Sequence, residues 1–237
     1  MWNGKKKALT FSYDDGHDCD RRLAELLDKY GMKCTFNLNA GHLATRENVG
    51  APRKVHAGVA WKNPDALINR MPIEEMLEVY KNHEIAVHAY THPNLTKLTR
   101  EECTAEISKD IEKLTEIFGT KPVGMAYPFG SYNDMVVDVL NEQGIRYART
   151  TRQTLNFDIQ TDLLRFHPTC HHGNEQLMEL AKKFVEMETD EPQLFYVWGH
   201  TYEFMGMENW DVIERFCEFM AGRDDIFYGT NAETLLI

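Results

Sequence analysis

Two adjacent carboxylates close an apolar, β-prone run near the start of the chain, in "LTFSYDDGHDCD" (Leu9–Asp20). Like charges at Asp14 and Asp15 repel, so their placement calls for a compensating cation. On a regular strand the two would face opposite sides, but a strand end followed by Gly16 lets the backbone turn and bring both to one place. If one carboxylate binds a metal ion, the other stays ionised beside it and acts as a general base. An ordinary Asp-Gly turn is the competing reading. "HAYTH" supplies imidazoles at His88 and His92. Ala89 takes the place of the Glu of a helical zinc protease motif, and Pro93 disfavours helix at His92, so the pair belongs on a strand end and turn. Two imidazoles and one carboxylate make a three-ligand metal site with an open position.

These residues need a scaffold that gathers distant strand ends. "KALTFSY", "KCTFNLN", "EIAVH", "PVGMAYP", "IRYAR" and "QLFYVWGH" read as strands. Between and after them lie helical patterns: "CDRRLAELLDKYG", "PIEEMLEVYKNH" opening at Pro72, "TREECTAEISKDIEKLTEIFG", "DMVVDVLNEQG", "NEQLMELAKKFVEME" and "WDVIERFCEFMAG". The third carries a Thr99/Glu102 capping box, an apolar stripe of Cys103, Ile107, Ile111, Leu114 and Phe118, and a stop at Gly119. The alternation predicts an α/β fold with a mainly parallel sheet. "YDDGH", "VHAYTH", "YPFGSY" and "WGHTYE" all fall at strand ends, which such folds collect on one face. Residues 40–71 have scattered Gly and Pro and little periodicity; they are either a surface excursion or a loop lining the site.

Composition excludes several classes. The 237 residues carry a net charge of −11, against a nucleic-acid surface. "KKK" at Lys5–Lys7 is too short to reverse that. No run of about 18 apolar residues predicts a membrane span, and the N-terminus lacks the apolar segment of a signal peptide. Five unpaired-looking cysteines suit reduced thiols and a cytoplasmic location; a leader removed ahead of this chain would make the protein secreted instead.

Taken in order, the motifs resemble those of the polysaccharide deacetylases, carbohydrate esterase family 4. "SYDDG" matches the aspartates and glycine of the first motif, His88 and His92 the second, Pro128 of "AYPFGSYN" the third, and His200 of "WGH" the last. "YGTNAETL" near the C-terminus also looks family-like. The resemblance implies an irregular, partly open (β/α) barrel of about seven strands, a single catalytic domain over 1–237 with a long insertion near 40–71. It implies Asp15, His88 and His92 as metal ligands, Asp14 as general base, His200 as general acid and the Phe129 N–H as oxyanion donor. The metal would be zinc, with cobalt, nickel, iron or manganese as alternatives. The substrate would be an N-acetylated or O-acetylated sugar or oligosaccharide, with no nucleic-acid or membrane partner. Allantoinase-like hydrolysis of a non-sugar C–N bond, or carbohydrate binding without catalysis, are the other readings.

Three positions depart from the family pattern. Ala89 lacks the hydroxyl that braces the metal loop. Ala126 stands where an Arg orients the catalytic Asp. The Asp that supports the catalytic His has no counterpart, leaving Asp158, Asp162, Arg165 or Glu203 as substitutes. "HPTCHH" (His167–His172) reads as a loop near the active face in preference to a second metal site. Tyr127, Trp198, Tyr202 and Trp210 are either sugar-stacking platforms or core.

Overall fold

The strand–helix alternation is realised in a computed structural model that describes residues 1–56 and 59–236. The chain runs through β1 (Lys7–Asp14), α1 (Asp20–Lys29) and β2 (Cys34–Leu38). It continues through β3 (Arg53–Lys54), β4 (Leu67–Ile68), α2 (Ile73–Val79), β5 (Glu84–Val87), α3 (Arg100–Phe118), β6 (Gly124–Ala126), α4 (Asp134–Glu142) and β7 (Tyr147–Arg149). The last third holds β8 (Cys170–His171), α5 (Leu177–Glu186), β9 (Gln193–Gly199), α6 (Thr201–Met207), α7 (Trp210–Met220), β10 (Ile226–Tyr228) and α8 (Asn231–Leu235).

The main sheet has the order β7-β6-β5-β2-β1-β9-β8, with β10 paired to the first residues of β1. Every pairing in it is parallel. This is the irregular, partly open (β/α) barrel anticipated above. β1 and β9 are buried along their whole length; β9 is a nearly continuous apolar run, while β1 interleaves Leu9, Phe11 and Tyr13 with buried Thr10, Ser12 and Asp14. Phe11 and Phe195 each meet Phe216 of α7 edge-on, at 5.9 and 5.4 Å between ring centroids. No helix among the described residues is long and apolar enough to cross a membrane.

α3 forms as its sequence dictates. Thr99 accepts from the Glu102 N–H, the Glu102 carboxylate accepts from the Thr99 N–H, and Gly119 ends the helix at φ 73°. Cys103, Ile107, Ile111 and Leu114 are buried. Thr99→Ala is expected to lower stability by about 1 kcal/mol in urea unfolding; an unchanged midpoint would contradict the cap's contribution.

Residues 40–71 are more structured than their composition suggests; residues 57 and 58 lie outside the described ones. β3 and β4 form a short antiparallel pair. The segment is tied to the end of β1: the Met71 N–H donates to Gly16 O (3.1 Å), the Asp18 N–H to Asn69 O (2.9 Å), and the Arg70 guanidinium to Asp15 O. It therefore lines the site and is no detached excursion. β8 is only two residues long, too short for any periodic signal, so "HPTCHH" contains a strand where the sequence suggests loop alone.

Candidate active site

Asp14 ends β1, His88 follows β5, Phe129 lies in the turn after β6, Arg149 ends β7, His171 ends β8 and His200 follows β9. Because these strands are parallel, all six stand on one face. All but Arg149 line a cavity of about 790 Å³, together with Asp15, His92, Trp198 and Glu203.

The backbone there is strained. Asp15 (φ 82°), Ala89 (60°), His92 (57°) and Phe129 (59°) are all left-handed non-glycine residues. Such conformations persist only where the surroundings enforce them, and they cluster at functional sites. Asp15 uses its conformation to turn the chain, so both carboxylates reach the cavity, as the Asp-Asp-Gly spacing requires.

Ligand atoms of Asp15, His88 and His92 lie within 4.8 Å of one another. His88 Nδ1 sits 2.7 Å from Ala126 O, which fixes the ring proton on Nδ1 and leaves the Nε2 lone pair toward the cluster. Burial first, then His88, lowers the His92 imidazole to about 4, so it is neutral near pH 7. Burial would raise Asp15, but His200 first, then His88, hold it well below the carboxylate range. One carboxylate and two imidazoles fit a borderline divalent cation.

The loop carrying the histidines is braced without the family's hydroxyl. Asn39 Nδ2 donates to the carbonyls of His88 and Ala89, the latter at 2.8 Å, and buried Asp110 accepts from the N–H groups of Ala40 (2.7 Å) and His88 (3.0 Å). Neither bracing residue stands out in sequence, since one resembles turn and the other helix.

Asp14 is buried, with Oδ1 accepting from Asn37 Nδ2 at 2.8 Å and Oδ2 pairing with Arg149 Nη2 at 2.5 Å. Arg149 thus gives Asp14 a guanidinium partner that Ala126 cannot. The register pairs Ala126 with Arg149 across β6 and β7, and paired residues of parallel strands share a face. The small side chain at 126 thus sits beside the arginine that pairs with Asp14. Burial would raise the Asp14 carboxyl; Arg149, with His88 and His200, outweighs it and holds the value below normal.

His200 Nε2 is 3.8 Å from Asp14 Oδ2, and its Nδ1 is 3.4 Å from Glu203 Oε1, an ion-pair distance longer than a good hydrogen bond. Burial would lower the imidazolium, but Glu203 and then the two aspartates outweigh it and raise it to about 9. Glu203 is the acid beside His200. Arg165 instead joins Asp162 and Asp134 at the surface, and Asp158 lies against Gln193, so none of those three substitutes. The sequence leaves Glu203 as one of four choices; its position three residues after His200, where it accepts from the His200 N–H at 3.1 Å, is the cue.

Glu203 Oε2 also meets His171 Nε2 (2.9 Å) and His172 Nε2 (3.2 Å), a second group with metal-like composition. His171 Nδ1 accepts the Gly173 N–H at 3.0 Å, which puts the ring proton on Nε2, where it donates to Glu203. That removes the lone pair a metal would need, and the group reads as support for Glu203. Gly199 is required here, since a Cβ would lie 2.0 Å from His172 Nδ1. His167 bonds Thr150 and does not line the cavity.

Tyr127, Trp198 and Tyr202 line the cavity. Trp210 does not; it packs on Phe204 at 4.6 Å and belongs to the core. Phe129 is 65% exposed, and its N–H donates to no group among the described residues.

Fold and site together define a (β/α) barrel whose strand ends carry an acid–imidazole cluster in an open cavity. Residues 2–148 match the polysaccharide deacetylase family model, and the chain belongs to that family. A peptidoglycan deacetylase of Helicobacter pylori is 25% identical over 105 residues, covering 42% of this chain and 36% of that one. The chain spans less than half the length of the curated relatives it matches. A family 4 carbohydrate esterase from Streptomyces lividans, solved with acetate, superposes with a TM-score of 0.54 at 15% identity, over 95% of this chain and 92% of that one. A family 4 pseudoenzyme from Bacillus anthracis superposes at 0.55 with 19% identity, over 97% and 66%. At these identities the likeness is one of fold.

Proposed function

We propose that this chain hydrolyses acetyl groups from an N-acetylated sugar or short oligosaccharide, with an O-acetyl ester as the alternative bond. One observation carries the reading: Asp14, Asp15, His88, His92 and His200, spread over most of the sequence, converge on one cavity in family order. A divalent ion held by Asp15, His88 and His92, best suited to zinc, would supply a Lewis acid for the acetyl carbonyl and for water.

The chain's own groups do the rest. Asp14 takes a proton as water attacks the carbonyl carbon. The Phe129 N–H donates to the oxyanion that develops. His200, protonated near pH 7, gives a proton to the leaving nitrogen or oxygen, releasing acetate and the free amine or alcohol. Glu203 keeps His200 charged and oriented, and Arg149 keeps Asp14 ionised. Tyr127, Trp198 and Tyr202 offer faces on which a sugar ring can pack.

The test is acetate release from a panel of N- and O-acetylated sugars, run beside cyclic ureides and imides, with metal-loaded protein. Acetate from a sugar is the expected result. Turnover confined to ureides would favour an allantoinase-like activity, and sugar binding without turnover a pseudoenzyme. The alkaline limb of the pH profile is expected near the His200 value of about 9. Activity requires the protonated imidazole, so it falls as pH rises through that value. Glu203→Gln removes the charge that raises it, and the limb moves toward the ordinary histidine value near 6.5. An unmoved limb would contradict the pairing.

A further inference from the structure

The segment between β2 and α2 brings His42, Arg53 and Arg70 to the rim of the same cavity. Both guanidiniums are charged at any physiological pH. Several other arginines of this acidic chain hold carboxylates, among them Arg21 with Glu75, Arg22 with Glu214 and Arg100 with Glu142. Among the described residues, Arg53 and Arg70 have no such ion pair. Arg53 Nη2 faces His17 Nε2 at 3.5 Å, and Arg70 Nη2 faces His42 Nδ1 at 3.4 Å, while Arg70 Nη1 donates to Asp15 O. His17 is a buried imidazole, which can offer no negative charge to Arg53. Arg70 meets Asp15 through that carbonyl, while the Asp15 carboxylate faces the imidazoles at the cavity floor. Two like charges therefore share a rim with no carboxylate in ion-pair contact among the described residues; the acids of the cavity, Asp14, Asp15 and Glu203, are engaged with its imidazoles and with Arg149.

We propose that this rim is a subsite for an oxyanion carried by the acylated sugar, a phosphate ester or a carboxylate; the inference rests on the reading of the floor as a deacetylase centre. A guanidinium fork matches either group through two parallel hydrogen bonds. The cavity has room for a charged monosaccharide unit between the floor and the rim. Trp61 and Tyr202, on the same wall, offer apolar faces to the ring. The subsite makes the enzyme selective for charged sugars although the chain as a whole carries −11 and repels them.

The test compares kcat/KM for N-acetylglucosamine, its 1-phosphate, its 6-phosphate and N-acetylmuramic acid, using the metal-loaded full chain and its Arg53→Gln variant. At least one charged sugar is expected to exceed the neutral one by about tenfold or more, through KM, with the preference falling as salt is added. Arg53→Gln should reduce that preference by about tenfold. The phosphorylated and carboxylated arms distinguish the two oxyanions. A second measurement is independent of turnover: calorimetric binding of inorganic phosphate to chelator-treated protein, expected in the wild type and weakened by about tenfold in the variant. No charge preference among substrates that are turned over, or phosphate binding that is absent or indifferent to Arg53, overturns the subsite. If no acetylated sugar is hydrolysed but Arg53-dependent phosphate binding is seen, the deacetylase reading fails and the anion subsite stands.

Discussion

Asp14→Asn is expected to reduce acetate release by about a thousandfold or more, while the protein still binds its metal. General-base catalysis contributes about 10²–10⁴ in rate. Asparagine keeps the size of the side chain and its place beside Asn37, but it cannot accept the proton of the attacking water. Asp15, His88 and His92 are untouched, so metal content should stay near one equivalent. The variant also leaves the Arg149 guanidinium buried without its anion, so it should unfold more readily than the wild type. Turnover must therefore be measured on protein shown to be folded by circular dichroism. Near-normal turnover in folded Asp14→Asn would remove Asp14 from the role of base.

Arg149→Met is expected to have the largest effect on stability, about 3–5 kcal/mol at pH 7 in urea unfolding. Arg149 and Asp14 are each almost wholly buried. Only Nη2 of the guanidinium meets the carboxylate; Nε and Nη1 have no partner, and the group rests on the Trp198 ring at 4.5 Å. Removing the cation leaves a buried carboxylate with only the Asn37 amide and two imidazoles at 3.8 Å around it. The sign of the pH dependence follows. In the wild type the Asp14 carboxyl lies below its ordinary value of 3.8. Its contribution is thus fully present above about pH 4 and is lost as pH falls through the lower folded value. In Arg149→Met burial dominates and the folded value rises, so the destabilisation grows as pH rises from acid toward neutral. The acid limb of activity should move to higher pH for the same reason. Adding Asp14→Leu to Arg149→Met should recover much of the stability and none of the activity, because an apolar pair replaces a broken ionic one. A cost below about 1 kcal/mol for Arg149→Met would contradict the pairing.

The two residues differ in how far the sequence reveals them. Asp14 is legible because two carboxylates and a glycine after an apolar run are conspicuous, and the same holds for His88, His92 and His200 at strand ends. Arg149 in "IRYAR" reads only as a strand residue. Its direction depends on the register of β7 against β6, a tertiary fact that no local pattern encodes. Asn37, Asn39 and Asp110 are hidden for the same reason: each acts on a backbone or side-chain group brought to it by the fold. The architecture was easier to read, because strands and helices of ordinary length carry periodicity. The two-residue β8 and the segment 40–71 do not, and the latter's contact with the end of β1 rests on hydrogen bonds to backbone, which leave little trace in residue types.

One divalent ion is expected between Asp15, His88 and His92. Anomalous diffraction at the zinc edge from zinc-loaded crystals tests it directly. One ion per chain bonded to those three side chains, and lost in Asp15→Ala, is the expected result. An empty cluster at saturating zinc, or an ion found on His171, His172 and Glu203 instead, would contradict it.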